Sequence, residues 1–258
     1  MPEGDAVWRT ARRLHHALAG KPLTRSDLRW PSLATADLRG ATTVEVVPRG
    51  KHLLHRLDNG LTLHSHLRMD GSWRVTPTTD PARAFRAHTV RAVLATAEST
   101  AVGDALGMLD LVRTRDEERL VGHLGPDLLG PDWDAAEAAR RLAASPDAVG
   151  AALLEQGNLA GLGTIWTAES LFAQRLDPWR PAADLTEAEL EALSDRAHRL
   201  LTASVRGQLD PRRGHAVYRR LRQPCRRCGT PIAAGSIGTP PHERTLFFCP
   251  TCQGAGSA

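Results

Sequence analysis

Cys225-Arg226-Arg227-Cys228 and, twenty residues later, Cys249-Pro250-Thr251-Cys252 hold all four cysteines of this 258-residue chain. A Cys-x2-Cys step folds into a knuckle with both sulfurs on one side. Two knuckles supply the four thiolates of a closed tetrahedral site for one Zn2+ ion per chain. A metal with no open position holds the fold together and leaves chemistry to other residues. Between the knuckles, residues 235–241 read as a turn and 244–248 as a returning strand. The segment 223–258 is therefore predicted to be a β-hairpin zinc ribbon, with Arg244 near its tip. No cysteine remains in the first 224 residues, which argues against a secreted disulfide framework.

Immediately upstream the charge becomes one-sided. Between Arg206 and Arg227 there are eight arginines and one acid, Asp210, within a chain of formal net charge +4. Such a local field suits a polyanionic partner, and a ribbon beside it suits nucleic acid. Of the 33 basic residues only Lys21 and Lys51 are lysines. In a chain so biased toward arginine, a retained lysine offers what a guanidinium does not, a compact charge and an amine of movable pKa.

Further toward the N-terminus the periodicity is helical over 135–143, 147–156, 164–174 and 186–204, a domain placed at 134–222. Within it, Leu153 to Trp166 reads as one helix ending, a glycine-rich turn, and a second helix starting at Thr164. Gly161 and Gly163 permit close backbone approach, and the open N–H groups of a helix start can hold a phosphate. The same pattern also fits a helical hairpin that binds nothing. Turns at Gly125-Pro126-Asp127 and Gly130-Pro131-Asp132 mark a linker over 125–133. Before it, short alternating runs at 43–47, 51–57, 61–66, 72–75 and 89–95 predict a β-sandwich domain over 1–124. The fold class is α+β.

This first domain opens with Met1-Pro2-Glu3-Gly4-Asp5, in which Gly4 and Asp5 read as the N-cap of a helix carrying Val7, Ala11, Leu14 and Leu18 on one face. Proline at a helix start needs no function to explain it. If Met1 is removed, however, Pro2 carries a free secondary amine. An α-amine titrates near about 8, well below a lysine at about 10.4, and is nucleophilic at neutral pH. Three other residues stand out in the domain. Lys51 sits in the turn Arg49-Gly50-Lys51. Met69 occupies the tip of His64-Ser65-His66-Leu67-Arg68-Met69-Asp70-Gly71, a poor core position and a serviceable wedge between unstacked bases. His64 and His66 share a strand face, but no carboxylate or cysteine beside them in sequence completes a metal site. With no secretory signal and no apolar run of about 18 residues, the protein is expected to be soluble and cytoplasmic.

An N-terminal Pro-Glu-Gly, an internal Arg-Gly-Lys, a Gly-Leu-Gly helical turn and a C-terminal four-cysteine ribbon, in that order, resemble the formamidopyrimidine-DNA glycosylase/endonuclease VIII family. The similarity runs from Pro2 to Gln253, and the start Pro-Glu-Gly-Asp resembles the endonuclease VIII branch. The resemblance implies a helix–two-turn–helix DNA-binding domain and a monomeric base-excision-repair enzyme acting on damaged DNA. Its expected activity is that of a bifunctional DNA glycosylase and AP lyase, which removes oxidised pyrimidines and cuts the abasic site by β,δ-elimination.

Carried over residue by residue, the resemblance makes Pro2 the nucleophile, Glu3 a general acid at the sugar, and Lys51 an aid to the sugar or phosphate. Met69 would fill the void left by the flipped base. Arg244 would grip phosphates, while Gly161, Gly163 and Thr164 would contact the DNA. No small-molecule cofactor and no membrane partner are implied. Thr164 stands where the family has asparagine, and Ala6 where it often has an acid, so Asp5 is the remaining candidate for a second carboxylate. The loop 113–118 matches no motif. Two alternatives remain open, a purine-directed enzyme of the same family and a non-catalytic zinc-ribbon protein that binds nucleic acid.

Overall fold

The computed structural model describes residues 2–78, 85, 87–131, 133–210, 212 and 214–254; Asp132 of the expected linker and Arg213 of the basic run lie outside them. The chain packs as two compact units, one of Pro2 with Ala6–His123, the other of Glu3–Asp5 with Leu124–Ala258.

The first unit begins with α1 (Gly4–Leu18). Its Val7, Ala11, Leu14 and Leu18 recur at helical spacing and are buried, whereas Arg9, Arg12 and Arg13 are exposed. The helix starts at Gly4 itself, so Gly4 and Asp5 form its first turn and not its cap, as the sequence had suggested. Eight strands follow: β1 (Arg25–Leu28), β2 (Thr43–Arg49), β3 (His52–Leu57), β4 (Leu61–His66), β5 (Ser72–Pro77), β6 (Val90–Ala95), β7 (Ser99–Asp104) and β8 (Met108–Arg113). They form two antiparallel sheets, ordered β2-β3-β4-β8 and β1-β6-β7-β5. Leu14 and Leu18 of α1 share one core with Val46, Leu53, Leu63 and Leu109 of the first sheet and Trp73, Leu94 and Ala101 of the second. This is the expected sandwich, and each large side chain buried in it contributes about 1.5 to 3 kcal/mol.

Loop 113–118 acquires a structural account. It forms a 3-10 turn over Thr114–Asp116 and runs into α2 (Glu118–Val121). The Glu117 carboxylate accepts from Arg56 Nε at 2.9 Å and Nη2 at 2.6 Å, and from the Thr62 hydroxyl. Arg56 also reaches Glu45 at 2.6 Å, so one guanidinium ties the loop to two strands.

The second unit contains α3 (Ala135–Ala143), α4 (Val149–Leu154), α5 (Thr164–Gln174), α6 (Glu187–Val205), the hairpin β9 (Ala233–Ile237) with β10 (Arg244–Phe248), and α7 (Pro250–Gln253). Asp134 caps α3 by accepting from the N–H groups of Ala136 and Glu137. Thr186 and Glu189 close a reciprocal capping box on α6. Leu142, Leu153, Leu162, Leu171, Leu193 and Leu201 form a core that also takes in Ile232, Ile237, Leu246, Cys225 and Cys249. The ribbon is thus continuous with the helices in its packing. Its turn lies later than the predicted 235–241, because β9 runs through Ile237 and β10 begins only at Arg244; Gly238, where φ is +97°, opens it. Among the described residues no helix is long and apolar enough to cross a membrane.

Candidate active site

Glu3 is 1% exposed and belongs to the second unit. Its carboxylate accepts from the backbone N–H groups of Gly163 at 3.1 Å, Ile165 at 2.7 Å and Trp166 at 3.3 Å. These are the donors that the start of α5 leaves without helical partners. No side chain from α5 caps it, since the N-cap is Gly163, and Glu3 performs that service from 160 residues away in sequence. The positive end of the helix and the three N–H donors form a seat for an anion.

The glycine turn is shaped around that seat. A Cβ at Gly163 would collide with the Glu3 side chain, and one at Gly4 would lie 2.9 Å from the Gly161 carbonyl oxygen. That carbonyl accepts from Gly4 N–H at 2.8 Å. Gly161 itself has φ +98°, in the left-handed region that suits glycine. Three of the helix-start N–H groups that the sequence reading offered to a phosphate, those of Gly163, Ile165 and Trp166, are occupied by Glu3. Thr164 is buried as the first residue of α5 and is not its cap. Asp5 accepts from the Ser204 hydroxyl at 2.6 Å, a bond that holds it on α6.

In the first unit, Lys51 stands in the turn between β2 and β3, and Met69, 60% exposed, in the turn between β4 and β5. His52 pairs with His66 across β3 and β4, which brings both turns to the same end of one sheet. A histidine cluster lies there. The Asp110 carboxylate on β8 lies 3.0 Å from His64 Nδ1, and His64 Nε2 lies 2.8 Å from His52 Nδ1. A carboxylate accepts, so Nδ1 of His64 donates to Asp110. β8 thus supplies the carboxylate that the sequence reading found missing beside His64 and His66. Burial, reinforced by the surrounding His64, His66, His123 and Arg68, pushes His52 down to about 3. Burial and the charges of Arg68, His64 and Lys51 push His66 down to about 4. Lys21, the other lysine, is spent on a surface pair with Glu98 at 2.7 Å.

The four cysteine sulfurs lie within 4.8 Å of one another and form the one group of metal-ligand type among the described residues. Cys225 and Cys252 sulfurs are 3.9 Å apart, those of Cys228 and Cys249 3.5 Å. A tetrahedron of thiolates at about 2.3 Å from a zinc ion has edges of about 3.8 Å, so the donors fit a metal of this kind. Arg244 is exposed at the start of β10, a strand that packs against α5.

Comparison with known proteins matches residues 1–108 to the formamidopyrimidine-DNA glycosylase N-terminal domain and 124–211 to the formamidopyrimidine-DNA glycosylase H2TH domain. The chain belongs to the formamidopyrimidine-DNA glycosylase family. Among its relatives in that family, a probable endonuclease 8 2 of Streptomyces coelicolor is 49% identical, covering 100% of this chain and 95% of that protein. The DNA-(apurinic or apyrimidinic site) lyase Nei2 of Mycolicibacterium smegmatis is 41% identical over 99% of this chain and 100% of that protein. Endonuclease 8 of Escherichia coli is 34% identical over 98% and 100%. These relatives assign the chain to the endonuclease VIII branch of the formamidopyrimidine-DNA glycosylase family. In fold it is similar to the Lactococcus lactis formamidopyrimidine-DNA glycosylase bound to DNA containing an AP site, with a TM-score of 0.84 and 24% identity, covering 97% of this chain and 99% of that one.

Sequence reasoning missed three residues of this family member. Asp110 and His52 join His64 only through strand pairing. Glu169 of α5 accepts from the N–H groups of Ala216, Val217 and Tyr218 at 2.8 to 3.0 Å and fixes the basic segment to the helix. Its one sequence signal is an acid on an otherwise buried helix face, Ala168 to Phe172.

Proposed function

We propose that this chain is a base-excision-repair DNA glycosylase and AP lyase that removes oxidised pyrimidines through an iminium formed on Pro2. The observation that carries the reading is the docking of Glu3 on the first turn of α5, because it fixes the residue bonded to Pro2. Removal of Met1 frees the Pro2 nitrogen. That nitrogen attacks C1′ of the damaged nucleotide, the glycosidic bond breaks, and the base leaves with a proton. The sugar ring opens as nitrogen and C1′ form the iminium. Loss of a proton from C2′ expels the 3′ phosphate, and loss of one from C4′ expels the 5′ phosphate. Water then releases the sugar fragment from Pro2.

Glu3 is bonded to the residue on whose nitrogen a cation develops, and the N–H donors that hold it as a carboxylate suit it to stabilise that iminium; proton exchange at the sugar is the second role this reading gives it. Lys51 and Met69, at one end of one sheet, serve the sugar–phosphate and the vacated base stack. Gly161, Gly163 and Thr164 act on DNA chiefly by placing Glu3. Arg244 supplies a phosphate fork. Cys225, Cys228, Cys249 and Cys252 hold a Zn2+ ion, whose bound contribution is to stabilise the fold. The enzyme works as a monomer.

Borohydride reduction during turnover of thymine glycol, dihydrouracil or abasic-site duplexes is expected to give a covalent adduct at Pro2. Absence of any adduct from protein with a free Pro2 refutes the reading. The family match, described by its formamidopyrimidine-DNA glycosylase domains, favours one second reading, a purine-directed enzyme. Base-release rates on matched oxidised-pyrimidine and oxidised-purine duplexes separate the two.

A further inference from the structure

Eight arginines crowd the segment from Arg206 to Arg227, and the fold uses them unequally. Arg220 donates to the carbonyls of Ala216 at 2.7 Å and Pro224 at 2.9 Å. Arg227 donates to the Phe172 carbonyl at 2.6 Å and lies 4.0 Å over the Phe172 ring. These two fasten the segment. Arg219 and Arg222 are different: both are exposed, and among the described residues neither pairs with a carboxylate, the Arg219 guanidinium lying 5.6 Å over the Tyr218 ring.

Both also hold a backbone that a side-chain-bearing residue avoids, with φ +56° at Arg219 and +62° at Arg222. Glycine would occupy either position without strain. The strain is locked in on each side. Glu169 takes the N–H groups of residues 216 to 218. Arg222 N–H reaches the Ile232 carbonyl at 2.8 Å, and Ile232 N–H reaches the Gln223 carbonyl at 2.9 Å. Two residues later Cys225 enters the metal-ligand cluster. The guanidiniums therefore project from a fixed frame, with little backbone freedom left to lose on binding.

The frame follows α5. His215 lies edge-on to Trp166 at 5.9 Å, residues 216 to 218 sit on Glu169, and Arg227 sits on Phe172. Trp166 N–H is one of the three donors that hold Glu3. The basic strip thus starts beside the helix turn that seats Glu3 and runs about 9 Å along the helix, a rise of 1.5 Å per residue over six residues. Phosphates of one DNA strand recur about every 3.4 Å along the duplex axis, so a strip of that length spans two or three of them.

We infer that Arg219 and Arg222 form a phosphate clamp for the DNA strand, and that their left-handed backbones are retained because they aim the two guanidiniums. The inference rests on the proposed DNA-repair function. It is tested by Arg219→Gly, Arg222→Gly and the double variant, with Arg175→Gly as control. Arg175 is another exposed arginine in the left-handed region, with φ +59°, at the end of α5.

Binding of an abasic-analogue duplex is followed by anisotropy from 50 to 300 mM salt, alongside thermal unfolding. All four variants should melt at or above the wild-type temperature, because glycine relieves the strain. In the double variant affinity should fall by roughly tenfold per arginine at low salt. The slope of log K against log salt should become shallower by about 1.8, or 0.9 for each phosphate that is no longer neutralised. Arg175→Gly should leave that slope unchanged. A double variant with the wild-type slope overturns the clamp, as does an equal loss of slope in Arg175→Gly, which would reduce the effect to net charge. A wild-type protein with no salt-dependent DNA binding would remove the DNA-repair reading itself, a failure distinct from equal slopes in wild type and variants.

Discussion

Mild acid should destabilise this protein before most of its carboxylates titrate, and the histidines of the first unit set the size of the effect. Burial and the neighbours His64, His66, His123 and Arg68 hold His52 near 3; burial alone holds His55, bonded to Thr43 at 2.8 Å, near 4; and burial with Arg68, His64 and Lys51 holds His66 near 4. An unfolded histidine titrates near about 6.5. Above that pH the three are neutral in both states and cost nothing. As pH falls below it the unfolded chain takes up protons that the folded chain refuses, so stability declines until the folded values near 3 to 4 are reached.

At pH 5 the linkage amounts to about 2 kcal/mol for each histidine, or about 6 kcal/mol for the three. A domain has about 5 to 15 kcal/mol in total. Urea unfolding at pH 7.5 and 5.0 measures the loss directly, and His66→Gln should remove about a third of it. Histidine ring resonances followed by NMR supply the site-specific check. A stability change under about 1 kcal/mol, or a His52 resonance titrating near its ordinary value, would refute the reasoning.

Three further outcomes are expected. An N-terminal tag or retained Met1 converts the Pro2 amine to an amide and should abolish strand cleavage and borohydride trapping while leaving DNA affinity within about twofold. Gly163→Ala drives a Cβ into the Glu3 carboxyl group. Its turnover should fall by roughly 100-fold with the far-UV circular dichroism unchanged, whereas a merely local defect would leave turnover intact. Cys249→Ser should reduce bound zinc from one ion per chain to none. Because Cys249 is fully buried in the core shared by the ribbon and the helices, the variant should also lower the unfolding temperature of the second unit.

Periodic and covalent signals were legible in the sequence. The spacing of the four cysteines located the cluster of sulfurs, and the predicted helices at 135–143 and 164–174 coincide with α3 and α5. Short strands without alternation were not legible. Arg25-Ser26-Asp27-Leu28 has one apolar residue, and β7 carries a glycine in place of a packing side chain. Helix ends were overdrawn for α4, where Asp147 and Glu155 continue the spacing but stand outside the helical turns. The site was legible as a set of residues and not as an arrangement. Nothing local to Gly161-Leu162-Gly163-Thr164 indicates that its N–H groups are taken by a carboxylate 160 residues upstream, and nothing near His64 announces Asp110. Long-range pairing leaves no trace in spacing.

The bond between Glu3 and the start of α5 also joins residues that lie 160 positions apart in the chain. Its donors are the N–H groups of Gly163, Ile165 and Trp166, so a chain cut ahead of the glycine turn keeps the carboxylate and loses every one of these partners. The placement of Glu3 is therefore a property of the assembled second unit and not of the segment that carries the residue.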